Sequence, residues 1–121
     1  MSALPEQRTY PDITVVCGTP LFDEYGDTLL NPTLIVEILS PATESYDRGK
    51  KFQHYRTLDS LQEYVLIAQD SYRIEHFVRQ AGGRWLFSDA TQPKSLIELP
   101  SIGCILRLAE VYEEVTFGEV S

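Results

Sequence analysis

Hydrophobic and polar positions change rhythm several times along the chain. Ile13-Thr14-Val15-Val16-Cys17 follows Tyr10-Pro11-Asp12 and stops at Gly18-Thr19-Pro20, a β-rich run between turn formers that predicts a first strand. A loop rich in Asp, Glu, Gly and Tyr extends to Pro32. Residues 34 to 39, LIVEIL, are almost continuously apolar, the pattern of a strand covered on both faces, and Ser40-Pro41 ends them. Residues 44 to about 57 read as a helix, with Thr43 as N-cap, Glu44 at its positive end and Arg56 at its negative end. Glu63 to Ile67 predicts a third strand. Arg73 to Arg79 alternates as a half-exposed fourth strand, with Arg73, Glu75 and Arg79 on a solvated face. Gly82-Gly83 turns a hairpin into Arg84-Trp85-Leu86-Phe87. A short edge near Leu96 to Leu99 and a closing helix over Leu108 to Val115 complete the set.

This order, with one helix between two strands as in a parallel crossover, predicts α+β or α/β with a mixed sheet. Strand ends beside such crossovers are where sites tend to form.

One residue breaks the pattern. Glu37 stands inside the most apolar strand of the chain. A buried carboxylate costs several kcal/mol, or is driven toward its neutral form, unless a counter-charge compensates it. Lys51 is the candidate partner, since the helix that leaves this strand carries Asp47, Lys51 and Tyr55 at four-residue spacing on one face.

Composition bounds what that site can do. With 121 residues, 43% apolar and 23% charged, the chain is expected to fold as one domain. No apolar run reaches the roughly 20 residues of a membrane span, and MSALPEQRTYPD lacks a signal-peptide pattern, so a cytoplasmic protein is expected. Cys17 and Cys104 sit among apolar neighbours and read as small hydrophobes. His54 and His76 show no zinc-ligand spacing. A net charge of −8 disfavours general capture of nucleic acid, so any such role needs metal ions or a local basic patch. The one compact basic cluster is Arg48, Lys50, Lys51, His54 and Arg56, next to the odd strand; a solvated helix face has the same composition.

Asp12, at the start of the first strand, joins Glu37 and Lys51 if the first two strands are neighbours. Two close carboxylates repel unless a cation intervenes, and a hard divalent ion with oxygen ligands resolves that conflict. A lysine beside them orients an attacking water or offsets charge developing on phosphorus. Such a composition suits a metal-dependent phosphodiesterase. Each residue also has a plainer reading. Asp12 caps a turn after Pro11, Glu37 and Lys51 form a buried salt bridge with no metal, and Asp47–Lys51 is a surface pair.

"YPD" before a strand, then "IVEILSPAT", "DRGKKFQHY", "LQEYVLI", "RIEHFVRQAGGRW" and "LRLAEVYEEV", taken in order, resemble the Uma-type family of putative restriction endonucleases. That family lies within the PD-(D/E)xK nuclease superfamily, and the resemblance spans nearly the whole chain. It implies an α/β fold bordering on α+β: a restriction-endonuclease-like mixed sheet flanked by helices. It further implies Asp12 and Glu37 as metal ligands, with Mg²⁺ or Mn²⁺ as the ion and DNA as the substrate. By the same resemblance Leu39 stands at the superfamily lysine position, and Lys51 is expected to supply the amine from the helix instead. Only eleven residues precede Asp12, so the helix and strands usual before this motif are expected to be missing, giving an N-terminally shortened domain. Such a sheet exposes apolar surface and unpaired edges, which predicts a homodimer or larger oligomer. The alternative is a non-catalytic, truncated interaction module that keeps the nuclease-like sheet.

Overall fold

The computed structural model describes residues 12–26, 29–40 and 47–113, with Asp47 and Arg48 described by their backbone alone. Five strands form the main sheet in the order β1-β2-β3-β4-β5: Ile13–Val15, Leu34–Leu39, Glu63–Ala68, Ile74–Arg79 and Trp85–Ala90. A two-stranded hairpin, β6 (Leu96–Leu99) and β7 (Cys104–Arg107), forms a second sheet. Only β2 and β3 run parallel; the other neighbouring pairs are antiparallel. The chain between β2 and β3 includes a wide π-type turn over Asp47–Lys51 that continues into a single α-helical turn, α1, over Phe52–Tyr55. A closing turn, α2, spans Leu108–Val111. The fold is α+β, with a mixed sheet and little helix.

Continuous apolar runs became the fully covered strands because both sheet faces are packed. On one face Leu34 and Val36 of β2, Val65 of β3 and Ile74 of β4 meet Ile97 and Leu99 of the hairpin, Leu108 and Tyr112. On the other, Ile35, Leu39, Tyr64 and Leu66 meet Phe52, Tyr55 and Leu61. Phe52 anchors the helical segment: its ring stacks on Tyr64 at 4.7 Å and lies 4.7 Å from Phe77 and 5.2 Å from Trp85. That packing fixes Lys51, the preceding residue, over the β2 face.

Several expectations change here. The predicted N-cap, Thr43, and the first helical residues lie outside the described residues. β7 was not foreseen; it is the partner of the short edge at Leu96 to Leu99. Cys17 and Cys104 are exposed rather than packed, because one follows the end of β1 and the other begins β7 directly after the hairpin turn. The predicted solvated face of β4 is covered: Glu75 is buried and Arg73 and Arg79 are half-buried, because the helical segment and its aromatics overlie that face.

Candidate active site

β1 and β2 pair with Ile13 opposite Val36, Thr14 opposite Ile35 and Val15 opposite Leu34. Continued by one step, this register sets Asp12 opposite Glu37. Residues directly opposite in an antiparallel ladder share a face, and on β2 that face is the one shared by Ile35 and Leu39, beneath the helical segment. Asp12 Oδ2 accepts a hydrogen bond from the Ile38 backbone N–H at 2.7 Å, which draws its carboxylate toward the residue after Glu37. Asp12 is exposed, whereas Glu37 is buried.

Lys51 comes from the helical side. Its ammonium lies 3.0 Å from Glu37 Oε1, and the two side chains are 11% and 1% exposed, so the pair is nearly dry. Lys50, one residue earlier, is exposed, as are His54 and Arg56. The structure therefore brings Asp12, Glu37 and Lys51 together along β2, and of the described members of the basic cluster Lys51 turns inward while Lys50, His54 and Arg56 are exposed.

The donor set suits a hard cation. Both acidic groups offer carboxylate oxygens, one exposed and one buried, and Asp12 Oδ1 takes no part in the bond to Ile38. Among the described residues no three His, Cys, Asp or Glu side chains assemble into a metal cage. A metal bound here would rest on one or two carboxylates, with water and substrate oxygens completing its shell, which is how Mg²⁺ is commonly held.

Two polar groupings escaped the sequence reading. On the face opposite the candidate site, Glu63 accepts from the Ser101 backbone N–H at 2.7 Å and lies 2.5 Å from His76 Nε2. This buried cluster ties β3 to β4 and to the turn of the β6–β7 hairpin, a structural task. The second grouping is Glu75 of β4 with Arg73, the residue just before the strand, 2.5 Å apart. The register runs Glu37 to Leu66 to Glu75, so Glu75 lies on the site's face, two strands from Glu37. Phe77, in step with Arg73 and Glu75, was the one signal in the sequence that this face is covered.

Taken together, these features define an α+β domain that brings two carboxylates and an amine together along one strand. The sequence matches the Uma2 family, described as "Putative restriction endonuclease", over residues 2–109, and the chain belongs to that family. It is similar to two uncharacterized proteins of Synechocystis sp. (strain ATCC 27184 / PCC 6803 / Kazusa). With sll1609 it shares 37% identity over 94 residues, covering 77% of this chain and 53% of that protein. With slr1290 it shares 36% over 112 residues, covering 93% and 58%. The chain thus spans somewhat more than half the length of these relatives. Its fold is similar to the crystal structure of a putative nuclease of the DUF820 family from Anabaena variabilis ATCC 29413. The TM-score is 0.68 at 23% identity, with 89% of this chain and 62% of that one covered. No helix among the described residues is long and apolar enough to cross a membrane.

Proposed function

We propose that this chain is a metal-dependent phosphodiester hydrolase acting on DNA, with Asp12 and Glu37 as the ligands of Mg²⁺, Mn²⁺ substituting, and Lys51 as the catalytic amine. One observation carries the reading: the strand register sets Asp12 opposite Glu37, while Lys51 reaches Glu37 from the helical side at 3.0 Å. The family description supports it. Bound metal supplies charge neutralisation at the scissile phosphate and a more acidic water.

The chain's own residues do the rest. Asp12 and Glu37 present oxygen donors on one face. Lys51, held by Phe52 packing and by Glu37, places a cation where negative charge grows as water attacks phosphorus. The water oxygen forms a bond to phosphorus as one sugar–oxygen bond to phosphorus breaks. The water gives up a proton and the departing oxygen gains one from solvent. Lys50 and Arg56, exposed on the segment that carries Lys51, offset the overall charge of −8 toward a polyanion. A cytoplasmic location accompanies this reading.

A second reading has its own observation. The Glu37–Lys51 pair at 3.0 Å compensates both charges without metal, as a non-catalytic interaction module would need. Nicking of supercoiled DNA separates the two. The catalytic reading expects cleavage in Mg²⁺ or Mn²⁺ that disappears in Asp12→Ala, Glu37→Gln and Lys51→Ala. If the wild type leaves DNA intact in both metals and neither metal moves its melting temperature, the pair is structural.

Assembly belongs to the same proposal. β5 is an edge strand with Leu86 and Phe87 exposed, a surface suited to pairing with a second copy. A homodimer or larger oligomer is expected, and a monomer by sedimentation at about tens of micromolar, concentrations where unprotected edges associate, refutes it.

A further inference from the structure

Two arginines, Arg73 just before β4 and Arg79 at its end, lie on one face, and the fold treats them differently. Arg79 is consumed by structure. Its guanidinium donates to the carbonyls of Leu61 at 2.6 Å, Leu58 at 2.9 Å and Arg56 at 3.1 Å, and lies 4.6 Å over the Trp85 ring. It locks the loop after α1 to the sheet, with three of its five N–H donors committed to backbone carbonyls and its plane set over Trp85.

Arg73 is held just as firmly but leaves donors over. Its Nη2 donates to Glu75 Oε2 at 2.5 Å. Its main chain is pinned from the other face of the sheet. The backbone N–H donates to the Tyr112 hydroxyl at 3.3 Å, and that hydroxyl reaches the carbonyls of Arg73 at 2.8 Å and Ala68 at 2.7 Å. A guanidinium has five N–H donors in a rigid fork. The Nε and Nη1 donors of Arg73 meet no acceptor among the described residues, and the side chain is 42% exposed. Both ends of the residue are fixed while one edge of the fork faces outward.

Its position adds the second argument. Leu39 pairs with Ala68, and the Ala68 N–H donates to the Arg73 carbonyl at 3.0 Å, so Arg73 lies one row beyond Glu37 at the carboxyl ends of the parallel pair. Ligands of open sheets gather at such ends. Two inter-strand spacings separate β2 from β4, about 10 Å. That distance matches roughly three nucleotides of rise at about 3.4 Å each along one strand.

We infer that Arg73, oriented by Glu75, binds a phosphate of the nucleic-acid strand flanking the one cut at Asp12, Glu37 and Lys51. The inference rests on the proposed nuclease reading and extends it to the path of the substrate across the sheet. Arg73 is a positioning residue: it touches a phosphate that does not react.

The test is binding of a short fluorescein-labelled DNA duplex and its single strand, by anisotropy, with Ca²⁺ in place of Mg²⁺. Arg73→Gln alone takes a close counter-charge from buried Glu75 and risks unfolding. The decisive variant is therefore Arg73→Gln with Glu75→Gln, which keeps an amide pair and leaves the net charge at −8, since one positive and one negative charge are lost together. The expected result is affinity about ten-fold weaker, equally for unrelated sequences, with a shallower salt dependence. The melting-temperature rise in Mg²⁺ is expected to persist. Arg73→Lys, which preserves the cation and its ion pair, is expected to recover part of the affinity. If wild type binds and cuts but the double variant binds equally well with the same salt dependence, Arg73 is only the counter-charge of Glu75 and the inference fails alone. If wild type neither binds nor cuts, the nuclease reading fails and takes this inference with it.

Discussion

Asp12 accepts the backbone amide of Ile38 at 2.7 Å, which fastens an exposed carboxylate to the strand residue directly after buried Glu37. The bond gives Asp12 two separable duties, an acceptor for β2 and a negative charge. Asp12→Asn retains an acceptor and removes the charge. Its stability in urea is expected to stay within about 1 kcal/mol of wild type, since a single net hydrogen bond is worth about that much. Its melting temperature is expected to stop responding to Mg²⁺, because stabilisation by a ligand requires that the folded state bind it. An unchanged metal response in Asp12→Asn removes Asp12 from the ligand set.

The Glu37–Lys51 pair predicts an asymmetric mutant series. Both side chains are nearly dry, so removing either partner takes a close counter-charge from a buried group. Lys51→Met is expected to cost about 3–5 kcal/mol, while Glu37→Gln with Lys51→Met costs much less because no charge remains buried. Chemical denaturation of the two variants and wild type measures the difference. Equal losses in the single and double variants show that Lys51 compensates little of the Glu37 charge.

These two residues also show how far the sequence could be read. Glu37 was legible because a carboxylate inside LIVEIL contradicts its surroundings, and Lys51 because four-residue spacing put it on a defined helical face. Parallel pairing of β2 with β3 followed from the helical connection between them. Glu75 was not legible as buried. RIEHFVR alternates two mixed faces, and only the tertiary placement of Phe52 against Phe77 decides that the face with Glu75 is covered. β7 escaped for a related reason. It is four residues long and carries an exposed Ile105, so its apolar pattern does not report burial. Its pairing depends on a turn at Gly103, whose φ of 67° places it in the left-handed region that favours glycine. Burial was legible where apolar residues ran continuously, and lost where charge pairs or short hairpins supplied the order.

Phe52 predicts coupling between the core and the site. Its ring touches Tyr64, Phe77 and Trp85, and the next residue toward the N-terminus is Lys51. Phe52→Ala is expected to cost about 3–5 kcal/mol through the lost transfer energy and the cavity left behind. Phe52→Leu fills most of the volume and is expected to cost less. DNA nicking by the folded fraction of Phe52→Leu should nevertheless fall several-fold if helical seating sets the position of the amine. Wild-type nicking in that variant separates the two effects and leaves Phe52 with a purely structural role.

Tyr112 supplies a pH-dependent prediction through the same turn that pins Arg73. Burial raises its hydroxyl pKa above the ordinary 10.0; hydrogen bonds to the Arg73 and Ala68 backbones pull it down, and the nearby Asp70 charge adds to the rise. The folded state therefore holds this proton more tightly than the unfolded chain. Below the unfolded pKa both states are protonated and the contribution is complete. As pH rises through about 10, the unfolded chain releases its proton first, so stability falls until the folded pKa is passed. Tyr112→Phe removes both the titration and the hydroxyl bonds. It is expected to cost about 1–3 kcal/mol near neutral pH, the penalty for leaving buried backbone groups unpaired, and to lose less stability than wild type above about pH 10. Melting curves of the two proteins across this range give the comparison, since they differ at residue 112 alone. Hydrogen exchange at the Arg73 amide should accelerate in Tyr112→Phe, because the tyrosine oxygen accepts that N–H. Parallel alkaline losses in the two proteins, with no change in exchange at Arg73, show that the hydroxyl neither titrates late nor holds the turn.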